Sequence, residues 1–253
     1  MKKFYPFLIF LLSFPVFLYL SLPIERFVEG ELCKRGISYG KVEVERFPPK
    51  VEVKKLSLLS LPFSIEEVEI FPEISSIFSG SKRLKISLKA CSGEGEIELD
   101  YPVSSLEFFL ESLNVAKCVK ELPVKVEGLL SLSGKFRLDA EKKLLKGGRG
   151  SFSLQNVKVG ELSFGLFSIP GLNLGKVEGT FTVKRENVVS LEAKGAGRDA
   201  EISVKGYINV DLRIPKRSYL NLKVKVKPKV APLKGRTFSF RIKGFAENVT
   251  VAR

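Results

Sequence analysis

Apolar residues obey two different rules along this chain. From Phe4 to Ile24 they form a nearly unbroken run without a charged residue, and from Lys41 onward they alternate with polar ones. The opening run is long enough to cross a bilayer as a helix. The later period of two is that of strands with one face on a core and one in water. It recurs at Val42-Val44, Val51-Val53, Leu56-Leu58, Ile65–Ile70, Leu84-Ile86-Leu88 and Ile97-Leu99-Tyr101. Beyond Pro123 it continues from Val124-Val126 and Leu130-Leu132 through Leu220-Leu222-Val224-Val226 to Phe238-Phe240-Ile242. Short Gly and Pro punctuation between these segments predicts a meandering antiparallel sheet.

Three segments break the alternation. Glu25 to Arg35 carries apolar residues at helical spacing and predicts a short helix ending near Gly36, and Phe71 to Gly80 reads as a helical turn. The strongest helical stripe is Leu106, Phe109, Leu110, Leu113, Ala116 or Lys117, and Val119, capped at Ser104 or Ser105 and stopped by Pro123, which predicts an amphipathic helix covering one face of the sheet. Gly95, Gly128, Gly134, Gly150, Gly179 and Gly206 fall inside strands, where glycine permits bulges and bends. The expected fold is therefore mainly β, a long curved antiparallel sheet shaped as a trough or half-barrel, with one covering amphipathic helix and a preceding transmembrane helix. Gly147-Gly148-Arg149-Gly150 precedes a strand rather than a phosphate-cradling helix and is expected to be a hairpin turn.

In the opening run the anchoring side chains are Phe4, Phe7, Leu8, Ile9, Phe10, Leu11, Leu12, Phe14, Val16, Phe17, Leu18, Leu20 and Leu22. Residues of this type favour insertion by roughly 4–8 kcal/mol together. A cleaved signal peptide is the alternative, but Ser21-Leu22-Pro23-Ile24 offers no small-residue cleavage site. Lys2 and Lys3 precede the run and Glu25 follows it, so the positive-inside bias keeps the N-terminus in the cytoplasm and exports the rest. The division expected is 1–24, cytoplasmic N-terminus and anchor, and 25–253, a periplasmic β-rich domain of a single-pass inner-membrane protein.

A net charge of +14 invites a nucleic-acid reading, but an exported domain would not meet the chromosome. The excess is also local: residues 201–253 hold thirteen Lys or Arg against three acids, whereas residues 25–75 hold ten Glu against eight Lys or Arg. Lys223, Lys225, Lys227 and Lys229 form a candidate basic face. It would protect a sheet edge from strand-to-strand aggregation or attract anionic lipid headgroups or an acidic partner. Cys91 and Cys118 could pair in an oxidising compartment, leaving Cys33 free, or all three could be buried thiols. There is no His, and most Asp and Glu, such as Glu43, Glu45, Glu52, Glu96 and Glu98, occupy the polar phase of strands. No catalytic, metal or cofactor residues are therefore assigned, and an enzyme is not expected.

The order of parts resembles the GspN family, the N component of type II secretion systems. It runs from the N-terminal span through alternating strands, the segment Ser104–Glu121 and Leu122-Pro123-Val124 to Gly134. It continues with Gly148-Arg149-Gly150-Ser151-Phe152-Ser153-Leu154-Gln155-Asn156-Val157, Gly206-Tyr207-Ile208-Asn209-Val210 and Ser218-Tyr219-Leu220-Asn221-Leu222. The resemblance implies an inner-membrane accessory or scaffold component that binds other secretion-system proteins in the periplasm. Gly148 to Val157 also looks like elements of AsmA-like proteins, which implies the alternative of a lipid-binding or lipid-transfer groove with phospholipid as partner.

Overall fold

The computed structural model describes residues 22–58, 64–72, 82–101, 104–118, 125–139, 141–164, 167–169, 171–230 and 233–252. The expected anchor from Phe4 to Leu20 lies outside these residues, as does most of the helical turn expected over Phe71–Gly80. No helix among the described residues is long and apolar enough to cross a membrane.

The chain opens with α1 (Ile24–Lys34) and then builds strands in sequence: β1 (Ile37–Ser38), β2 (Lys41–Arg46), β3 (Pro49–Leu58), β4 (Ser64–Pro72), β5 (Lys82–Ala90), β6 (Gly93–Tyr101) and β7 (Ser105–Asn114). A single helical turn, α2 (Val115–Cys118), leads to β8 (Val126–Asp139) and β9 (Leu144–Val159), and β10 (Leu162–Phe164) with β11 (Phe167–Ile169) forms a separate small hairpin. The main sheet resumes with β12 (Leu172–Arg185), β13 (Val188–Ala196), β14 (Ala200–Asn209), β15 (Tyr219–Pro228), β16 (Phe238–Phe245) and β17 (Asn248–Ala252).

Each strand of the main sheet pairs antiparallel with its neighbours in the chain, from β1 and β2 side by side along β3, through β9 against β12, to β17. The two ends do not pair with each other among the described residues, so the sheet is open. At about 4.8 Å per strand its width along the sheet is on the order of 60 Å.

Register makes the sheet two-faced from end to end. One row crossing the main sheet from β2 to β17 reads Val44, Val51, Ile70, Ile86, Ile97, Phe108, Gly134, Gly150, Phe181, Leu191, Gly206, Leu222, Ile242 and Val251. The adjacent row, on the other face, reads Glu43, Glu52, Glu69, Ser87, Glu96, Phe109, Ser133, Ser151, Thr180, Glu192, Lys205, Lys223, Arg241 and Ala252. Because side chains alternate faces, a single-residue slip in any strand would exchange these sets, which is why the alternation fixes register so firmly. Register shifts place extra residues in β4, β7, β9 and β12, and each such bulge bends its strand and raises the local twist.

The amphipathic helix expected over Ser104–Glu121 is not there. Residues 105–114 are β7, paired to β6 and β8. Leu106, Phe108 and Leu110 alternate with Glu107, Phe109 and Glu111 as a strand requires. A register shift between Leu110 and Leu113, with Ser112 at φ 55°, then returns Leu113 to the apolar face. That shift creates an i, i+3 spacing, and Phe109 on the polar phase completes the imitation of a helical stripe. The helix that does lie on the apolar face is α1, whose Val28 and Leu32 pack on Val42, Val53 and Leu56 at the β2–β3 end. The expected hairpin turn at Gly147–Gly150 is also corrected, since these glycines lie inside β9.

Candidate functional site

The apolar face holds itself together by laying large side chains flat over glycines of the next strand. Phe108 lies opposite Gly134, where an added Cβ would stand 2.9 Å from the ring Cζ, and Phe181 lies opposite Gly150, where it would stand 2.3 Å from Cζ. Only glycine leaves room for a ring at these points. Lying down, Phe108, Phe136 and Phe181 meet, with ring centroids 5.7, 5.7 and 6.4 Å apart. They join Leu145 and Val189 in one buried cluster. A second cluster runs through Val157, Leu172, Leu174, Val177, Ala193 and Ala200, and a third sits under α1.

Between the cluster under α1 and the ring cluster the face is less filled. Leu84, Ile86 and Leu88 on β5 and Ile97 and Leu99 on β6 are only half-buried. Helix α1 does not reach this stretch; it packs at the β2–β3 end, with β4 between.

The polar face is graded in charge. It is rich in Glu on β2 to β7, floored by Ser131, Ser133, Ser151, Ser153 and Thr180 on β8, β9 and β12, and rich in Lys and Arg on β14 to β16. Ser133 Oγ and Ser151 Oγ are 3.2 Å apart. A shallow groove of about 830 Å³ crosses this hydroxyl floor between Glu96, Glu98 and Glu107 on one side and Thr180 and Thr182 on the other. Phe109 stands in it, 53% exposed.

At the acidic end Glu52, Glu67 and Glu69 bring carboxylate oxygens within 4.8 Å of one another. They are already neutralised: Lys50 Nζ lies 3.0 Å from Glu52 and 2.9 Å from Glu69, Lys54 Nζ 2.7 Å from Glu52, and Lys89 Nζ 2.7 Å from Glu67. Hydrogen bonds from Lys54 and then Lys50 hold the Glu52 carboxyl down to about 2, and the carboxylates of Glu69 and Glu52 raise Lys50 above its ordinary value. Glu52, 8% exposed, thus departs from the solvated face expected of the polar phase.

Of the candidate basic residues, Lys223, Lys225 and Lys227 project exposed from β15, whereas Lys229 follows the strand and is bound to Glu201 at 3.3 Å. β15 is paired on both sides, by β14 and β16, so protection of a sheet edge does not explain them. The strand neighbours Lys205, Arg241 and Lys243, which periodicity alone does not connect to β15, complete the cationic area; only cross-strand register reveals it. Cys91 and Cys118 are joined as a disulfide, Cα atoms 5.2 Å apart, which ties the β5–β6 turn to α2, while Cys33 on α1 is a free, exposed thiol. Leu22 is the single expected anchor residue among those described, 46% exposed, and its carbonyl accepts a hydrogen bond from Arg46 at 3.3 Å.

No protein-family model matches this chain, and neither a curated protein nor a solved structure does.

Proposed function

We propose that this chain is a membrane-anchored, non-catalytic lipid-binding protein: residues 4–24 hold it in the bacterial inner membrane, and the exported sheet, curved into a trough, receives acyl chains on its apolar face. The observation that carries this reading is the long apolar face that no helix covers beyond α1 among the described residues. One stretch of it, β5–β6, is only half-buried and begins two strands beyond β3, where α1 packs. A covering helix over residues 104–121 would have made that face an ordinary core, and β7 stands in its place. The in-strand bulges favour curvature, and an apolar surface of this extent is unusual unless something occupies it.

The test is site-specific photocrosslinking in cells with the full chain. A photoreactive residue at Ile86 should yield phospholipid adducts, and one at Ser87, on the opposite face, should not. Absence of lipid adducts at Ile86, or equal adducts at both positions, would remove the reading.

A second reading, an accessory scaffold of a type II secretion system, draws support from the segregation of charge on the polar face, which suits docking to other proteins. The same crosslinker at Phe109 should then capture secretion-system proteins; recovery of lipid-handling proteins alone would count against it.

A further inference from the structure

At the basic end of the polar face, register sets Lys205, Lys223 and Arg241 directly opposite one another on β14, β15 and β16, with Lys225 and Lys243 beside them. Like charges directly opposite across strands repel. Lys205 is offset by Glu192 at 3.3 Å. Among the described residues, Lys223, Lys225, Arg241 and Lys243 have no acidic partner at ion-pair distance. The row lies inside the sheet, so the repulsion serves no edge protection, and the anion that would relieve it must come from outside the described residues.

Two aromatic side chains share this surface. Tyr207 is 41% exposed, opposite Asn221, which is in turn opposite Lys243; Phe245 is 51% exposed and meets the Tyr219 ring edge-on at 5.6 Å. An acidic protein would answer the cations and leave the exposed Phe245 without a role. Cations beside exposed rings on a rigid sheet match the headgroup layer of an anionic bilayer, where phosphates pair with the cations and rings sit at the interface.

We propose that this corner of the sheet, Lys223, Lys225, Arg241 and Lys243 with Tyr207 and Phe245, is a peripheral contact for the phosphate-bearing headgroups of an anionic membrane. It is a separate surface from the apolar face and does not depend on what that face binds. The chain contains no Trp, so Phe245→Trp supplies a single fluorescent reporter.

The full chain carrying Phe245→Trp, held in neutral phosphatidylcholine nanodiscs, is mixed with vesicles of brominated phosphatidylglycerol or brominated phosphatidylcholine. Quenching is expected with phosphatidylglycerol only, lost at high salt. Lys223→Gln and Arg241→Gln should each weaken it about five-fold, whereas Lys229→Gln, whose ammonium Glu201 already holds, should leave it unchanged. Circular dichroism checks that each variant is folded. The proposal is overturned by absent quenching, by equal quenching with both lipids, or by equal losses from Lys223→Gln and Lys229→Gln. A response to soluble poly-glutamate with none to vesicles would assign the surface to an acidic protein and overturn it as well.

Discussion

The glycine-seated rings make a sharp energetic prediction. Gly134→Ala places a methyl 2.9 Å from Cζ and 3.2 Å from Cε1 of Phe108, with the Arg149 carbonyl at 3.2 Å. The ring must lift, breaking its stack with Phe136 and Phe181, and over-packing of this kind costs about 1–3 kcal/mol. Phe108→Ala alone removes a half-buried ring and its two ring contacts, about 2–3 kcal/mol when scaled down from a fully buried Phe. In the double variant the ring that the methyl strikes is gone and only the 3.2 Å approach to the carbonyl remains. The double variant should therefore be more stable than the sum of the singles predicts by about 1–2 kcal/mol. Gly150→Ala with Phe181→Ala is the contrast. There the methyl also stands 2.3 Å from the Ser133 carbonyl oxygen, which no side-chain deletion relieves, so the pair should be closer to additive. Urea unfolding of the full chain in detergent, followed by far-UV circular dichroism, measures both cycles. Since strands contact almost only their immediate neighbours, hydrogen exchange should quicken in β7, β8, β9 and β12 and stay unchanged in β3 and β4. Additivity of the Gly134/Phe108 pair to within 0.5 kcal/mol would refute the seating argument.

Three further outcomes follow from other parts of the molecule. Because the Glu52 carboxyl is held at about 2 against an ordinary 4.5, its contribution to stability is complete above pH 4.5 and fades as pH falls towards 2; Glu52→Gln should cost about 1–2 kcal/mol near neutrality, after allowance for solvent screening, and flatten acid unfolding across that window, and an unchanged acid limb would refute this. Breaking the Cys91–Cys118 bond, which links residues 27 apart, should cost about 3–4 kcal/mol by chain entropy; thiol titration of the oxidised protein should find Cys33 alone, and three reactive thiols under native conditions would refute the pairing. Cys33 is exposed, so an impermeant maleimide should label it from the periplasmic side of intact inner membranes, and labelling only after lysis would refute the exported topology.

The sheet was legible in the sequence because alternation is a local property: once Ile97, Leu99 and their neighbours take a period of two, face and register follow. The β7 segment was misread for an equally local reason, a bulge at Ser112 and an aromatic on the wrong phase that together mimic a helix. The glycine run in β9 looked like a turn because its purpose lies on neighbouring strands, in Phe136 and Phe181. The cationic corner was half visible. Lys223 and Lys225 announce themselves in one strand, whereas Lys205, Arg241 and Lys243 join them only through cross-strand pairing, which no window along the chain contains. The lysines that neutralise Glu52 were hidden for the same reason.

The charge gradient gives the two proposed surfaces a common geometry. If residues 4–24 lie in a bilayer, α1 fixes the β2–β3 end of the sheet beside it, and that end carries the Glu-rich part of the polar face. The carboxylates of Glu52, Glu67 and Glu69 there are neutralised by Lys50, Lys54 and Lys89, so the field of anionic headgroups does not draw that end. The cationic corner, by contrast, sits at the far end of the strand order, where the same field attracts. A sheet anchored by its acidic end and drawn to headgroups by its basic end is held with a defined tilt, and raising the ionic strength should release the basic end while leaving the anchored end in place.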